Sequence, residues 1–325
     1  MKVLINRQVV NAPWGGGNNF VRAFRDCLPA LGHELVESLS QEPDVVLLVG
    51  VDADGMGVDA WSALKHRQRH SKCKVVLRLN DCDARKGTTG VDEELWHAAN
   101  QCDSIVFVSQ WLRDHLLASW SSIPEERRYA YARWTPHGVM GRAHVIHNGV
   151  DKTLFHGPAG AEERNRLTVV THHWSDNPLK GSDVYETLDS LFSVEFKYIG
   201  RHRCMFKSPR TRVVPPCHGE ELARELRTNS VYVTGTRWDP GPNHLLEALA
   251  CGLPVWAHKD GGGAVEFAGE DHTFDDLQQL KEMFSMGSGH TDRGRRRHTP
   301  NTYKPMAWPE CIERYVAVLE ETHSK

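Results

Sequence analysis

The 325-residue chain is 40% hydrophobic and 25% charged, which excludes disorder, collagen and coiled coil as whole-chain descriptions and, at about 150 residues per domain, predicts two domains. Thirty-nine Lys and Arg against 42 Asp and Glu leave a net charge of −3, so no global positive field favours nucleic acid or an anionic membrane as partner. No stretch nears the roughly 18 consecutive apolar residues of a membrane helix, and the opening MKVLINRQVV is too short and polar for a secretory leader, which predicts a cytoplasmic protein without integral membrane association.

In chain order, apolar β-branched runs alternate with helical patterns. KVLIN (2–6) is followed by a helix over about 19–31, VVLLV (45–49), a helix near 60–69 and KVVLRL (74–79). A helix near 92–101, SIVFV (104–108) and a helix capped by Ser109 come next. Residues 121–141 break the rhythm with Pro124, Pro136, Gly138 and Gly141, and HVIHNGVD (144–151) runs into a turn. From Leu167 the alternation resumes: LTVVT (167–171), a helix after Gly181, VEFKYIG (194–200), VV (213–214), a helix over 219–228, SVYVTG (230–235), a helix from Asn243, and LPVWA (253–257). An irregular basic connection over 287–304 leads to an amphipathic helix over 308–322.

Uniformly apolar strands alternating with helices predict parallel sheets covered on both faces. The expected fold is α/β, with two Rossmann-like domains facing across a cleft. Its expected parts are a 1–150 domain, a 151–305 domain, and a 306–325 helix packing back toward the first. Eight dispersed cysteines form no C-x-x-C pair and nineteen histidines form no H-E-x-x-H, so reduced, buried thiols and no structural metal are expected. His66 and His70 read as a wet helix face, and Asp52 and Asp54 as turn residues.

Ligands of open parallel sheets bind beyond the carboxyl ends of the strands, which directs attention to the loops there. In the first, Asn11 to Asn19, Gly15, Gly16 and Gly17 would let backbone N–H groups approach a phosphate at a helix start. A flexible turn explains them equally well, and neither a dinucleotide fingerprint nor a P-loop is present. In the second, Thr171 to Gly181, Lys180 stands where a helix begins, unfavourable for a cation unless an anion is shared there. His172, His173 and Trp174 either pack against a nucleotide or shape the loop. In the third, Trp238 to Val255, Asp239 precedes a helix where its carboxylate can meet sugar hydroxyls, and Glu247 lies among small and apolar residues, where a carboxylate requires a partner. In the first half, Asp81 and Asp83 form a D-x-D flanked by Arg78, Arg85 and Lys86, so local ion pairing competes with an acceptor-orienting role for Asp81.

The spacing of Asp239 and Glu247, followed by LLEALACGLPV (245–255), resembles the GT-B glycosyltransferases, specifically the retaining family 4 group. Its motif is an acid, seven residues, then Glu followed by a small-residue helix, Gly and Pro. Gly15 to Gly17, NGVD (148–151), Lys180-Gly181 and Tyr198-Ile199-Gly200-Arg201 add to the resemblance, which is strongest over 230–257 and weakest over the first 140 residues. It implies a nucleotide-diphosphate sugar as donor, with Glu247 on the ribose, Lys180 on the diphosphate, and Asp239 with Gly241 and Asn243 on the transferred sugar. Lys180, Asp239, Asp81 and Arg201 are the expected catalytic residues, with His173 and Arg201 also donor-side. No cofactor and no metal requirement are expected. Three departures stand out: Asp239 replaces the usual Glu, the basic residue before the phosphate lysine gives way to His173, Trp174 and Ser175, and Pro242 lacks an N–H. Arg201 is the candidate to compensate for the missing base.

The expected acceptor is a glycan or lipid-linked glycan. The alternative is a DNA glycosyltransferase acting on a hydroxylated base, suggested by Arg201, Arg203, Lys207, Arg210, Arg212 and Arg293 to Arg297, with Trp14, Trp134 and Phe206 as stacking candidates. A catalytically idle nucleotide-sugar or nucleic-acid binding protein is a reading of another class. A Rossmann dehydrogenase is disfavoured, because no G-x-G-x-x-G follows a strand.

Overall fold

A computed structural model describes residues 1–10, 16–52, 57–129, 133–157, 167–285 and 298–325. Gly15, Asp54, Trp14 and Arg293 to Arg297 fall outside the described residues. The chain divides into two compact units, Met1–Gly149 with Trp308–Lys325, and Val150–Ala307.

The first unit is built on six parallel strands, β1 (Lys2–Ile5), β2 (Glu34–Val36), β3 (Val45–Leu48), β4 (Lys74–Leu79), β5 (Ser104–Phe107) and β6 (Ala143–Val145), in the order β2-β1-β3-β4-β5-β6. Its helices are α1 (Gly16–Cys27), α2 (Ala60–Arg69), α3 (Asp83–Lys86), α4 (Val91–Gln101), α5 (Gln110–Ser122), α6 (Glu125–Tyr129) and α7 (Pro136–Met140). The second unit carries β7 (Leu167–His173), β8 (Val194–Gly200), β9 (Thr211–Val214), β10 (Val231–Thr234), β11 (Val255–His258) and β12 (Thr273–Phe274), ordered β12-β11-β10-β7-β8-β9. Around that sheet run α8 (Ser182–Ser190), α9 (Gly219–Arg227), α10 (Asn243–Ala250), α11 (Gly263–Ala268) and α12 (Leu277–Phe284), and the chain closes on α13 (Trp308–Ser324) in the first unit. Two six-stranded parallel sheets covered by helices make the fold α/β, each unit Rossmann-like.

Alternation along the strands explains why they read as unbroken apolar runs. Tyr232, Val255 and Ala257 pack into one layer beside the second sheet, and Val231, Val233 and Trp256 into another. Both faces are therefore dry. Helix starts follow local chemistry: Ser109 accepts from the Leu112 N–H at 3.1 Å and Asp59 from the Ser62 N–H at 2.6 Å, each satisfying a free first-turn donor. The first helix ends earlier than its pattern implies, at Cys27, and Pro29 to Leu31 form a separate 3-10 turn, as expected where a proline cannot supply the next helical N–H. α13 lies against α1, where the Tyr315 and Phe20 rings are 4.7 Å apart.

The acidic pair after β4 corrects one expectation. Asp81 does bind Lys86 at 2.5 Å and Arg85 at 3.4 Å, whereas Asp83 accepts from the N–H groups of Gly90, Val91 and Asp92 at the start of α4. Arg78 joins neither acid. Lying within β4, it is directed into the core, under the Phe20 ring and 2.8 Å from Asn148 Oδ1.

Candidate functional site

Four strands of the second sheet, β7, β8, β10 and β11, end on one edge, and the loops beyond them are drawn together by glycines. Gly181 has φ +87°, and a Cβ there would stand 2.2 Å from the Gly235 carbonyl oxygen. No other residue fits at that approach. The Arg237 N–H donates to the Leu179 carbonyl at 2.8 Å, tying the loop after β10 to the loop after β7. On the other side, Asp239 donates its N–H to the Gly261 carbonyl at 3.2 Å and accepts from the Gly263 N–H at 2.8 Å.

These ties place the site's charges. Lys180, the last residue of a 3-10 turn over Pro178–Lys180, brings Nζ to 3.0 Å from Asp239 Oδ2, with the Gly241 N–H on Oδ1 at 3.3 Å. The pair is largely out of water, 18% and 8% exposed at the side chains, so each charge depends on the other. Glu247, on α10, finds the partner its apolar surroundings demand in His172, whose Nε2 lies 2.8 Å from Oε2.

Between these two pairs lie His173 and His244, with ring centroids 4.9 Å apart. Burial holds the His173 imidazole well below its ordinary range, with His244 and Lys180 adding to the effect. Burial followed by the Lys180 ammonium does the same to His244. Burial thus favours the neutral form of both rings. His173 Nε2 lies 2.5 Å from the Tyr185 hydroxyl, whose oxygen accepts from the Gly235 N–H at 3.0 Å. His244 Nε2 is 3.0 Å from Thr234 Oγ1. Arg201, exposed just beyond β8, holds its guanidinium 5.2 Å over the Trp174 ring.

The edge of the second sheet therefore brings together Lys180, Asp239, Gly241, Asn243, Glu247, His173 and Arg201. Gly16, Gly17 and Asp81 belong to the first unit, where Gly16 and Gly17 begin α1 and a Cβ on Gly17 would stand 2.8 Å from the flexible end of Arg7 and 3.7 Å from Asn80 Nδ2. Two residues, His244 and Trp238, enter the site without a role foreseen for them, and a third, His172, expected to pack against a nucleotide or shape the loop, has a different partner. His172 holds Glu247. His244 is the one His of the Asp239–Glu247 string, at helical spacing from Glu247, which was a readable signal. Trp238 is 39% exposed beside Asp239 with φ +48°, a left-handed backbone unusual for a bulky residue, held by its N–H on the Asp260 carbonyl at 2.7 Å.

Chemically, the edge offers a lysine ammonium and loop N–H groups for an anion, two carboxylates for hydroxyls, and two buried imidazoles beside them. Among the described residues no group of three or more His, Cys, Asp or Glu could hold a metal ion, and no helix is long and apolar enough to cross a membrane.

No family model matches the chain, and no curated protein matches it. Solved structures do. HepE of Anabaena in complex with UDP and glucose is similar at TM-score 0.67 and 14% identity, covering 98% of this chain and 99% of that one. The catalytic domain of starch synthase IV from Arabidopsis thaliana, bound to ADP and acarbose, is similar at TM-score 0.64 and 11% identity over 100% and 99%. Sucrose-phosphate synthase from Thermosynechococcus elongatus follows at TM-score 0.61 and 13% identity over 99% and 97%. At these identities the likeness is one of fold, and the fold is that of the GT-B glycosyltransferases.

Proposed function

We propose that the chain is a nucleotide-sugar-dependent glycosyltransferase of the retaining kind, similar to family 4, transferring a hexose to a hydroxyl of a glycan or lipid-linked glycan in the cytoplasm without a metal. The observation that carries this reading is the pairing of Lys180 with Asp239 at 3.0 Å on the same sheet edge as the partnered Glu247. In the absence of donor the ammonium and carboxylate neutralise each other. An incoming diphosphate takes Lys180, and Asp239 with Gly241 and Asn243 turns to the sugar hydroxyls. Glu247 holds the ribose, and Arg201 takes the place of the missing base before Lys180. Stabilising the departing diphosphate is then the main catalytic contribution of Lys180 and Arg201, and His173 packs behind the phosphates as a neutral wall. Asp81 orients the acceptor once Lys86 releases it.

UDP is the first donor nucleotide to try, because HepE has been solved in complex with UDP-glucose. The glycan reading is favoured over DNA by the basic segment after β8. Arg203 is paired with Asp176 at 3.0 Å and Arg212 with Glu225 at 3.4 Å, and Arg210 lies over the Phe192 ring at 4.3 Å, so less of its charge is free for phosphates.

The test is incubation with UDP-, GDP-, ADP- and TDP-hexoses and glycan or hydroxymethylated DNA acceptors, with the anomer of the product read by NMR. Product of retained configuration, reduced by roughly 10²-fold or more in Lys180→Ala, is the expected result. An inverted anomer overturns the retaining assignment. Neither transfer nor donor hydrolysis with any sugar overturns the enzyme.

A further inference from the structure

We propose that His172 is a positioning residue for ribose recognition. It fixes the Glu247 carboxylate with one oxygen held by the protein and the other turned to the ribose hydroxyls of the donor nucleotide. This rests on reading Glu247 as the ribose carboxylate, and goes beyond it by naming what orders that group.

The argument is geometric. His172 is the penultimate residue of β7 and only 7% exposed. Its backbone is clasped by the Tyr232 hydroxyl, which accepts from the His172 N–H at 3.2 Å and donates to the His172 carbonyl at 3.4 Å. Its ring stands edge-on to Tyr232, centroids 5.6 Å apart, and to His244 at 6.1 Å. An imidazole held on both sides cannot turn to seek another partner.

Among the described residues that ring makes one polar contact. Nε2 is 2.8 Å from Glu247 Oε2, and because a carboxylate only accepts, Nε2 is the donor. Nδ1 is buried and has no hydrogen-bond partner among the described residues. A histidine kept to knit the core would be expected to use both nitrogens. This one spends its polar capacity on Glu247, whose helix otherwise buries Leu245, Leu246 and Ala248. Glu247 stays 15% exposed, so the carboxylate is neither sealed in nor free to swing. A side chain ordered before its ligand arrives does not have to be ordered at the ligand's expense.

The test compares affinities of wild type, His172→Phe, His172→Gln and Glu247→Gln for UDP, GDP and ADP and for their 2′-deoxy counterparts. Wild type should prefer the ribonucleotide. His172→Phe should shrink that preference about tenfold while affinity for the deoxy form holds within about twofold, since what is lost is the ordering of one side chain. His172→Gln, whose amide N–H can reach toward Glu247, should keep more of the preference than His172→Phe. Equal loss of both nucleotide forms in His172→Phe would reveal a packing role and overturn the proposal, as would an unchanged ratio. If Glu247→Gln abolishes the preference and His172→Phe does not, the proposal alone fails. If wild type and Glu247→Gln show the same ratio, the ribose reading of Glu247 fails and takes the proposal with it.

Discussion

Separating Lys180 from Asp239 probes the site where its electrostatics are most demanding. At an effective dielectric of about 20, unit charges 3.0 Å apart attract by roughly 5.5 kcal/mol, and desolvation of both groups offsets much of this. What survives is set by burial, because removing one member strands the other. Asp239 is the more buried, 8% against 18% exposed, so Lys180→Met, which strands the carboxylate, should cost more than Asp239→Asn, which strands a better-hydrated ammonium. Scaled from fully buried pairs, the costs are about 3 and about 2 kcal/mol. Combining the substitutions removes both charges, and the double variant should recover about 2 kcal/mol relative to the sum of the single ones. Equilibrium urea unfolding of the four proteins closes this cycle. For a unit of this size, about 3 kcal/mol also lowers the melting temperature by roughly 6–12 °C. Additivity within about 0.5 kcal/mol would show that the charges do not depend on each other, and the donor-free description of the site would have to be abandoned.

Three further outcomes follow from the same geometry. Gly181→Ala forces a Cβ to 2.2 Å from the Gly235 carbonyl at φ +87° and should cost roughly 3–5 kcal/mol. A wild-type urea midpoint would show that the two loops do not meet there. His173 and His244 have folded-state pKa values depressed below their ordinary 6.5, so below that pH the unfolded chain takes up protons that the folded chain refuses. Their stabilising contribution is complete above pH 6.5 and declines as pH falls, by up to about 2.7 kcal/mol per unit for the two. Unfolding curves at pH 7.5, 6.5 and 5.5 check this, and His244→Phe should flatten the decline. Trp238, at φ +48°, should reverse the usual order of small replacements: Trp238→Gly is expected to be more stable than Trp238→Ala by about 1 kcal/mol, and the opposite ranking would mean that the left-handed backbone relaxes.

The sheets could be read from sequence because their strands are dry on both faces, leaving runs such as VVLLV and SVYVTG unmistakable. β2 and β12 escaped notice because they are edge strands of three and two residues, too short for a pattern. Within the site, local chemistry pointed to Lys180, Asp239 and Glu247 one by one, and the buried position of Glu247 implied a partner. That the partner is His172, 75 residues away, is decided by where β7 ends relative to α10, which no local pattern encodes. The Lys180–Asp239 pairing likewise depends on the close approach of Gly181 to Gly235. Arg78 shows the converse: three and five residues before Asp81 and Asp83 in sequence, it is turned by its strand into the core beside Phe20 and Asn148.

The claim that the second unit's sheet edge receives a nucleoside diphosphate is tested most directly by thermal unfolding with UDP, GDP, ADP, TDP and CDP, repeated on Lys180→Ala and Glu247→Ala. A ligand at about 100 times its dissociation constant adds about 2.7 kcal/mol, a rise of roughly 5–10 °C for domains of this size. The account predicts such a rise with at least one of the five, reduced in both variants. No shift with any nucleotide, or a shift that both variants retain in full, would contradict it.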